Sequence, residues 1–247
     1  MWVRPYRRHA SGPPGWDPSA DSVDFQRLRS YFRGLQGEAM RMGTLVQSGG
    51  RVILRGDTLL MRESNMGPVR SLELSREQDL VYFQNGTIPL YIKCGRPCSR
   101  PLTIVADGDV YIYGNMHGSP AVVTLGDIVV PTDPALVGEP DWSPPWNITT
   151  DGNMLVEAFL AAPGGELRSE SVRYPPGKMT FRVFGGVMEK SMGRLGSSYS
   201  GHQLEIDYDS GLSTDPPPHF PILENWKMAS WTEDPGHEEG EIEEDLY

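Results

Sequence analysis

Apolar and polar positions alternate along much of this chain, in short phrases rather than long stretches. The phrases TIVADGDVYIYG (103–114), AVVTLGDIVV (121–130), NMLVEAFLAA (153–162) and MTFRVFGGVMEK (179–190) are each entered through a Gly, Asp or Asn turn. Their starts lie roughly two dozen residues apart, and a period of that size signals stacked repeats. Alternation with period two is the mark of a strand whose faces differ. Within 103–114, Ile104, Ala106, Val110 and Ile112 share one parity and are predicted to point inward. Thr103, Asp107, Asp109, Tyr111 and Tyr113 take the other parity and are predicted to point outward. Gly108 falls on the inward set, where a corner tolerates it. The next phrase continues the logic, with Ile128 and Val130 in and Asp127 and Val129 out. A coil this short cannot bury its own apolar face and must stack on its neighbours. The predicted fold is therefore all-β, a right-handed parallel β-solenoid (β-helix) with a short N-terminal capping helix and extended tails.

The helix is predicted over 22–42. Phe25, Leu28, Phe32 and Leu35 recur at helical spacing, with Arg27, Arg29 and Arg33 on the other side and Asp21 or Ser22 as the cap. Its expected role is to cover the open end of the solenoid, where strand edges would otherwise be bare. From 43 the period returns to two, and Asn85-Gly86 separates strand-like segments at 80–84 and 88–93. Residues 131–150 (PTDPALVGEPDWSPPWNITT) break the period and predict a projecting loop. After 190 the chain turns irregular, and WKMASW (226–231) is a candidate last strand before the tail. The domain division is an extended arm at 1–20, a helix-capped body at 21–231 and an acidic tail at 232–247.

Composition changes this picture at the two ends. The formal charge is −11, yet Thr232–Tyr247 alone holds eight acids and no Lys or Arg, leaving −3 for the rest. The acidity thus belongs to a tail of the type that orders on a partner. The arm carries Arg4, Arg7 and Arg8 without an acid in its first ten residues, punctuated by Trp2, Tyr6 and Trp16. Such aromatics read as anchors for the body or for a partner. With no basic stripe or zinc finger, nucleic-acid binding is disfavoured. No window has the run of about 18 apolar residues that a membrane span needs. No apolar core follows the first basic residues, so they do not read as a signal peptide. Either the chain is cytoplasmic or membrane-peripheral, or it begins downstream of a removed export segment.

Candidate chemistry is sparse. Cys94 and Cys98 in KCGRPCSR are either loop thiols or a small-loop disulfide, Gly95 and Pro97 favouring a tight turn. The histidines are scattered singly, so no metal site is predicted. Asp107, Asp109 and Asp127 are the carboxylates a polysaccharide-cleaving site or a Ca²⁺ site would need. Gly-Asp is also the turn dipeptide of a coil corner, with the Asp bonding its own backbone, and that reading is preferred. Nucleophile elbows, P-loops and zincin motifs are absent, and no catalytic residue or cofactor is predicted. The outward Tyr111, Tyr113 and Phe184 offer an aromatic face for a protein or a sugar ring, or a seat for the arm or for Trp142 and Trp146 of the loop. Asn85-Gly-Thr and Asn147-Ile-Thr match a glycosylation sequon, with no other sign of that route.

Several phrases resemble a known family. QDLVYFQNG (78–86), LTIVADGDVYIYGNM (102–116), MLVEAFLAAPGG (154–165), GKMTFRVFGGVMEKSMGRLG (177–196), YDSGLSTDPPPHFP (208–221) and WKMASWTE (226–233) run in the order and spacing of a bacterial domain. That family is the uncharacterised β-helical domain of pilus-assembly and minor-pilin-like surface proteins. The resemblance implies an extracytoplasmic or cell-surface, non-enzymatic structural or adhesive module, and supplies no catalytic residues. The alternatives are an accessory subunit docking on a larger membrane-bound assembly, and a carbohydrate-active β-helix enzyme. The expected partner-binding residues are Trp2, Arg4, Tyr6, Arg7, Arg8, Trp16, Tyr111, Tyr113, Trp142 and Trp146, with the acidic tail as a second docking element.

Overall fold

The computed structural model describes residues 23–63, 67–97, 99–131, 153–170, 177–197, 200–213 and 215–221. The arm, nearly all of the 131–150 loop, the 226–231 segment and the acidic tail lie outside them. Strands β1 (Leu45–Val46), β5 (Leu80–Phe83), β7 (Thr103–Ala106), β9 (Ala121–Thr124), β11 (Met154–Ala162), β13 (Gly177–Glu189) and β14 (Ser200–Tyr208) form a first sheet, in that order. The second sheet runs β12 (Leu167–Ser169), β10 (Ile128–Val130), β8 (Val110–Ile112), β6 (Leu90–Arg96), β2 (Gly50–Arg55), β3 (Thr58–Arg62) and β4 (Arg70–Glu73). All pairings in the first sheet are parallel. In the second, β2–β3 and β3–β4 are antiparallel, because Gly56-Asp57 closes a hairpin instead of a crossover.

The space between the sheets is filled by one parity of each strand. Val52, Leu54, Val81, Phe83, Leu90, Ile92, Ile104, Ala106, Val110, Ile112, Val122, Ile128, Val130 and Phe181 meet there, together with alternate residues of β11. The inward set read from 103–114 therefore lies in this core.

The expected β-solenoid is corrected. Two separate seven-stranded, mostly parallel sheets and one helix make an α/β-like arrangement. Helix α1 (Phe25–Met42) is also not an end cap, since it lies against the outer face of the first sheet. Its Leu28, Phe32, Leu35 and Ala39 pack with Leu80, Tyr82, Val105, Ala121, Val123, Phe159 and Ala161. The physical reason is that the first sheet is apolar on both faces. β5, β7 and β9 are buried at every position, the continuous apolar reading of parallel strands covered on both sides. A helix with one apolar face satisfies that second surface, which stacking alone leaves wet.

Asp24 caps the helix, its carboxylate accepting from the Arg27 amide at 2.9 Å, so the cap predicted at Asp21 or Ser22 is corrected. Gly43 closes the other end in the left-handed region at φ 72°. After β14 the chain turns back across the same outer face. Phe220 packs edge-on against Phe32 and Phe159, with centroids at 5.1 and 4.8 Å. His219 Nε2 lies 2.8 Å from Asp79 Oδ1, fixing this returning segment near the start of β5.

Candidate functional site

Two arrangements contain the sequence-predicted tyrosines and aspartates that fall within the described chain. The first is an aromatic strip on the outer face of the second sheet. Parallel register places Arg51 beside Tyr91, Tyr91 beside Tyr111, Tyr111 beside Val129 and Val129 beside Arg168. The Tyr91 and Tyr111 rings lie 4.8 Å apart, and Tyr113 meets Tyr91 edge-on at 6.1 Å. Lys93 Nζ sits 4.8 Å over the Tyr113 ring, a cation–π contact. Burial, then the neighbouring Tyr91, pushes the Tyr111 hydroxyl above its ordinary value. The strip places flat rings between the cationic side chains of Arg51, Lys93 and Arg168.

This face is less open than its parity suggested. Ile53, Lys93, Tyr113 and Val129 all face away from the inter-sheet core, yet each is buried. Tyr111 and Tyr91 are half-buried. Phe184 is 44% exposed but belongs to β13 of the other sheet, so the structure does not bring it to the tyrosines. Tyr91 was missed in sequence. Its signal was the matching alternation of LYIKC and VYIYG, which places Tyr91 and Tyr111 at the same strand position.

The second arrangement is a corner where successive turns stack. Asp109 Oδ1 accepts from the Asp127 amide at 2.9 Å, and Asp127 Oδ1 accepts from the Glu166 amide at 3.2 Å. Asp127 Oδ2 accepts from Arg168 Nε at 2.9 Å, a bond that holds the guanidinium charged. Asp107 Oδ1 accepts from the Gly86 amide at 2.7 Å. Buried Asn85 bridges its own turn to the next, accepting from the Gly108 amide and donating to the Ile88 carbonyl, both at 2.9 Å. The corner is tight enough to require glycine. A Cβ on Gly108 would lie 2.0 Å from the Gly86 carbonyl oxygen. The Gly-Asp phrase is thus a corner device, but each aspartate caps the adjacent turn where an own-turn bond was expected.

Cys94 is a buried free thiol whose single S–H faces the Arg96 and His117 carbonyls, with Sγ at 2.9 and 3.3 Å from them. Burial pushes it up, away from thiolate reactivity. His117 Nδ1 lies 3.1 Å from Glu157 Oε2 nearby. Cys98, the other half of the expected pair, lies outside the described residues. So do Trp2, Arg4, Tyr6, Arg7, Arg8, Trp16, Trp142 and Trp146. Among the described residues no cluster of His, Cys, Asp and Glu has the makings of a metal site, and no helix is long and apolar enough to cross a membrane.

Comparison with known protein families, with curated proteins and with solved structures finds no match to this chain.

Proposed function

We propose that the chain is a non-enzymatic structural module that docks through protein contacts on a larger extracytoplasmic or membrane-bound assembly, of the pilus-associated kind. The observation that carries this reading is the use of its carboxylates. Asp107, Asp109 and Asp127, the acids best placed for polysaccharide chemistry, each hold a neighbouring turn's backbone amide. A carboxylate that accepts from a backbone amide is committed to holding the shape of the turn it caps. The stacked, half-buried Tyr91 and Tyr111 rings supply the flat, amphipathic contact area that protein interfaces favour. The basic, aromatic arm and the eight-acid tail supply opposite charges at the two ends of the chain.

The test is a pull-down from membrane and cell-surface fractions, using the full chain and a chain lacking 1–20 and 232–247. One set of envelope components should be recovered in stoichiometric amount by the full chain only, with the melting temperature of the truncated chain nearly unchanged. Equal capture by both chains, or a large fall in stability on truncation, would overturn docking through the ends. Retention on polysaccharide with no protein recovered would overturn the module reading itself.

A further inference from the structure

Each sheet ends, among the described residues, at the same place: β14 closes the first sheet and β12 the second. One polar cluster ties the two together there. Leu195 and Gly196 lie antiparallel to the start of β14, with Gly196 bridging Gly201 and the His202 amide donating to the Leu195 carbonyl at 2.8 Å. His202 Nδ1 lies 2.9 Å from Ser169 Oγ, across the gap between the sheets. The Ser169 hydroxyl donates to the same Leu195 carbonyl, and its amide donates to the Arg194 carbonyl. The single hydroxyl hydrogen being used, Nδ1 must carry a proton and donate to Oγ. Nε2 is left a bare acceptor. Among the described residues it has no hydrogen-bond partner, and His202 and Ser169 are each only 5% exposed. The nearest ring is Phe181, edge-on at 6.4 Å.

Nothing ionic on the surrounding elements reaches the imidazole, among the described residues. β12 presents Ser169, while Arg168 bonds Asp127 and lies near Glu166, and Glu170 is exposed. β13 presents Met179 and Phe181, while Arg182 pairs with Asp207. The segment before β14 approaches through the Leu195 carbonyl, with Lys190 and Arg194 exposed, and Glu205 of β14 is exposed as well.

We propose that the His202–Ser169 pair is an acid-released latch, whose protonation frees β14 from the end of the two sheets. An imidazolium at this position has a second N–H with no acceptor and a charge with no counter-ion. Both are costly in a dry interior. Release returns the ring to water and uncovers Phe181 and the partly buried Leu195, Leu204 and Ile206 that pack on the inter-sheet core. The burial that strips the ring of partners also lowers its proton affinity, from 6.5 to about 4. The released form therefore gains about tenfold per pH unit below 6.5, and about 30-fold between pH 7.5 and pH 5. None of this depends on the docking role proposed above.

The experiment is hydrogen exchange by mass spectrometry at pH 7.5 and pH 5 on the full chain, with rates corrected for the intrinsic pH dependence of exchange. Protection of the Ser200–Tyr208 amides should fall about 30-fold at pH 5 while those of β7 and β9 hold. In His202→Gln the fall should vanish. If that chain does not fold, His202→Phe keeps an aromatic ring at the position without a titratable nitrogen and carries the same expectation. Undiminished β14 protection at pH 5 overturns the latch. So does an equal fall in either variant, or a fall shared by every strand, which would be global unfolding.

Discussion

The placement of α1 on a sheet face, rather than at an end, makes a quantitative demand on Phe32. This side chain is fully buried, between the helix and the first sheet, and meets Phe220 edge-on at 5.1 Å. Truncating a buried Phe to Ala costs about 3–5 kcal/mol, the spread reflecting how far the site collapses. The Phe32–Phe220 contact should appear as a coupling of about 0.5–1.5 kcal/mol in a double-mutant cycle. For a domain of this size the single substitution should lower the melting temperature by roughly 10 °C. The assay is urea unfolding of wild type, Phe32→Ala, Phe220→Ala and the double variant, with Met40→Ala as control. Met40 sits on the same helix and is 61% exposed, so its loss should leave the midpoint within error. A shifted midpoint with unchanged slope isolates stability from changes in the unfolded state. A loss of less than about 1 kcal/mol for Phe32→Ala is what a solvent-facing helix would give. That result would refute the reasoning that the helix is a layer of the fold.

The corner and the helix make further demands. Gly108→Ala should destabilise by more than the about 1–3 kcal/mol of ordinary overpacking, since its Cβ would meet the Gly86 carbonyl at 2.0 Å. Gly34→Ala is the contrasting case: it is helical with nothing within 4 Å of the added methyl, and should stabilise by about 1 kcal/mol in the same thermal melts. Asp127→Ala removes the acceptor of both the Glu166 amide and Arg168 Nε. It should cost about 1–3 kcal/mol, with Asp127→Asn costing less because one acceptor oxygen remains. Equal stability of the Ala variant and wild type would show the corner bonds to be idle.

Much of the strand content was legible because alternation is a local signal. The inward parity of Ile104, Ala106, Val110 and Ile112 follows from the pleat alone, and those side chains meet in the inter-sheet core. The glycine at 108 was equally readable as a corner. The helix was readable from the spacing of Leu28, Phe32 and Leu35, all buried. Its location was not, and the reason lies in what alternation leaves unread. Leu80, Tyr82, Val105, Ala121 and Val123 make the opposite parity apolar too. LVYF, TIVA and AVVT are buried at every position, and that continuity is the signature of a sheet covered on both faces.

The candidate site divides in the same way. The outward direction of Tyr111 belongs to its own strand, and the capacity of an aspartate to cap a turn belongs to the residue itself. Which turn Asp109 caps depends on register with a segment 18 residues away. The burial of Tyr113 and Lys93 likewise depends on packing that no local window contains. His202 shows the limit most clearly. In sequence it is one of several scattered histidines. Its bond to Ser169, 33 residues earlier, exists only because two sheets end side by side. The sequence by itself determined periodicity, facing and turns, because those follow from the geometry of a few consecutive residues. The tertiary structure decided which faces meet, which carboxylates are satisfied and which imidazole is dry, because those depend on contacts between distant segments that form only when the whole chain excludes water.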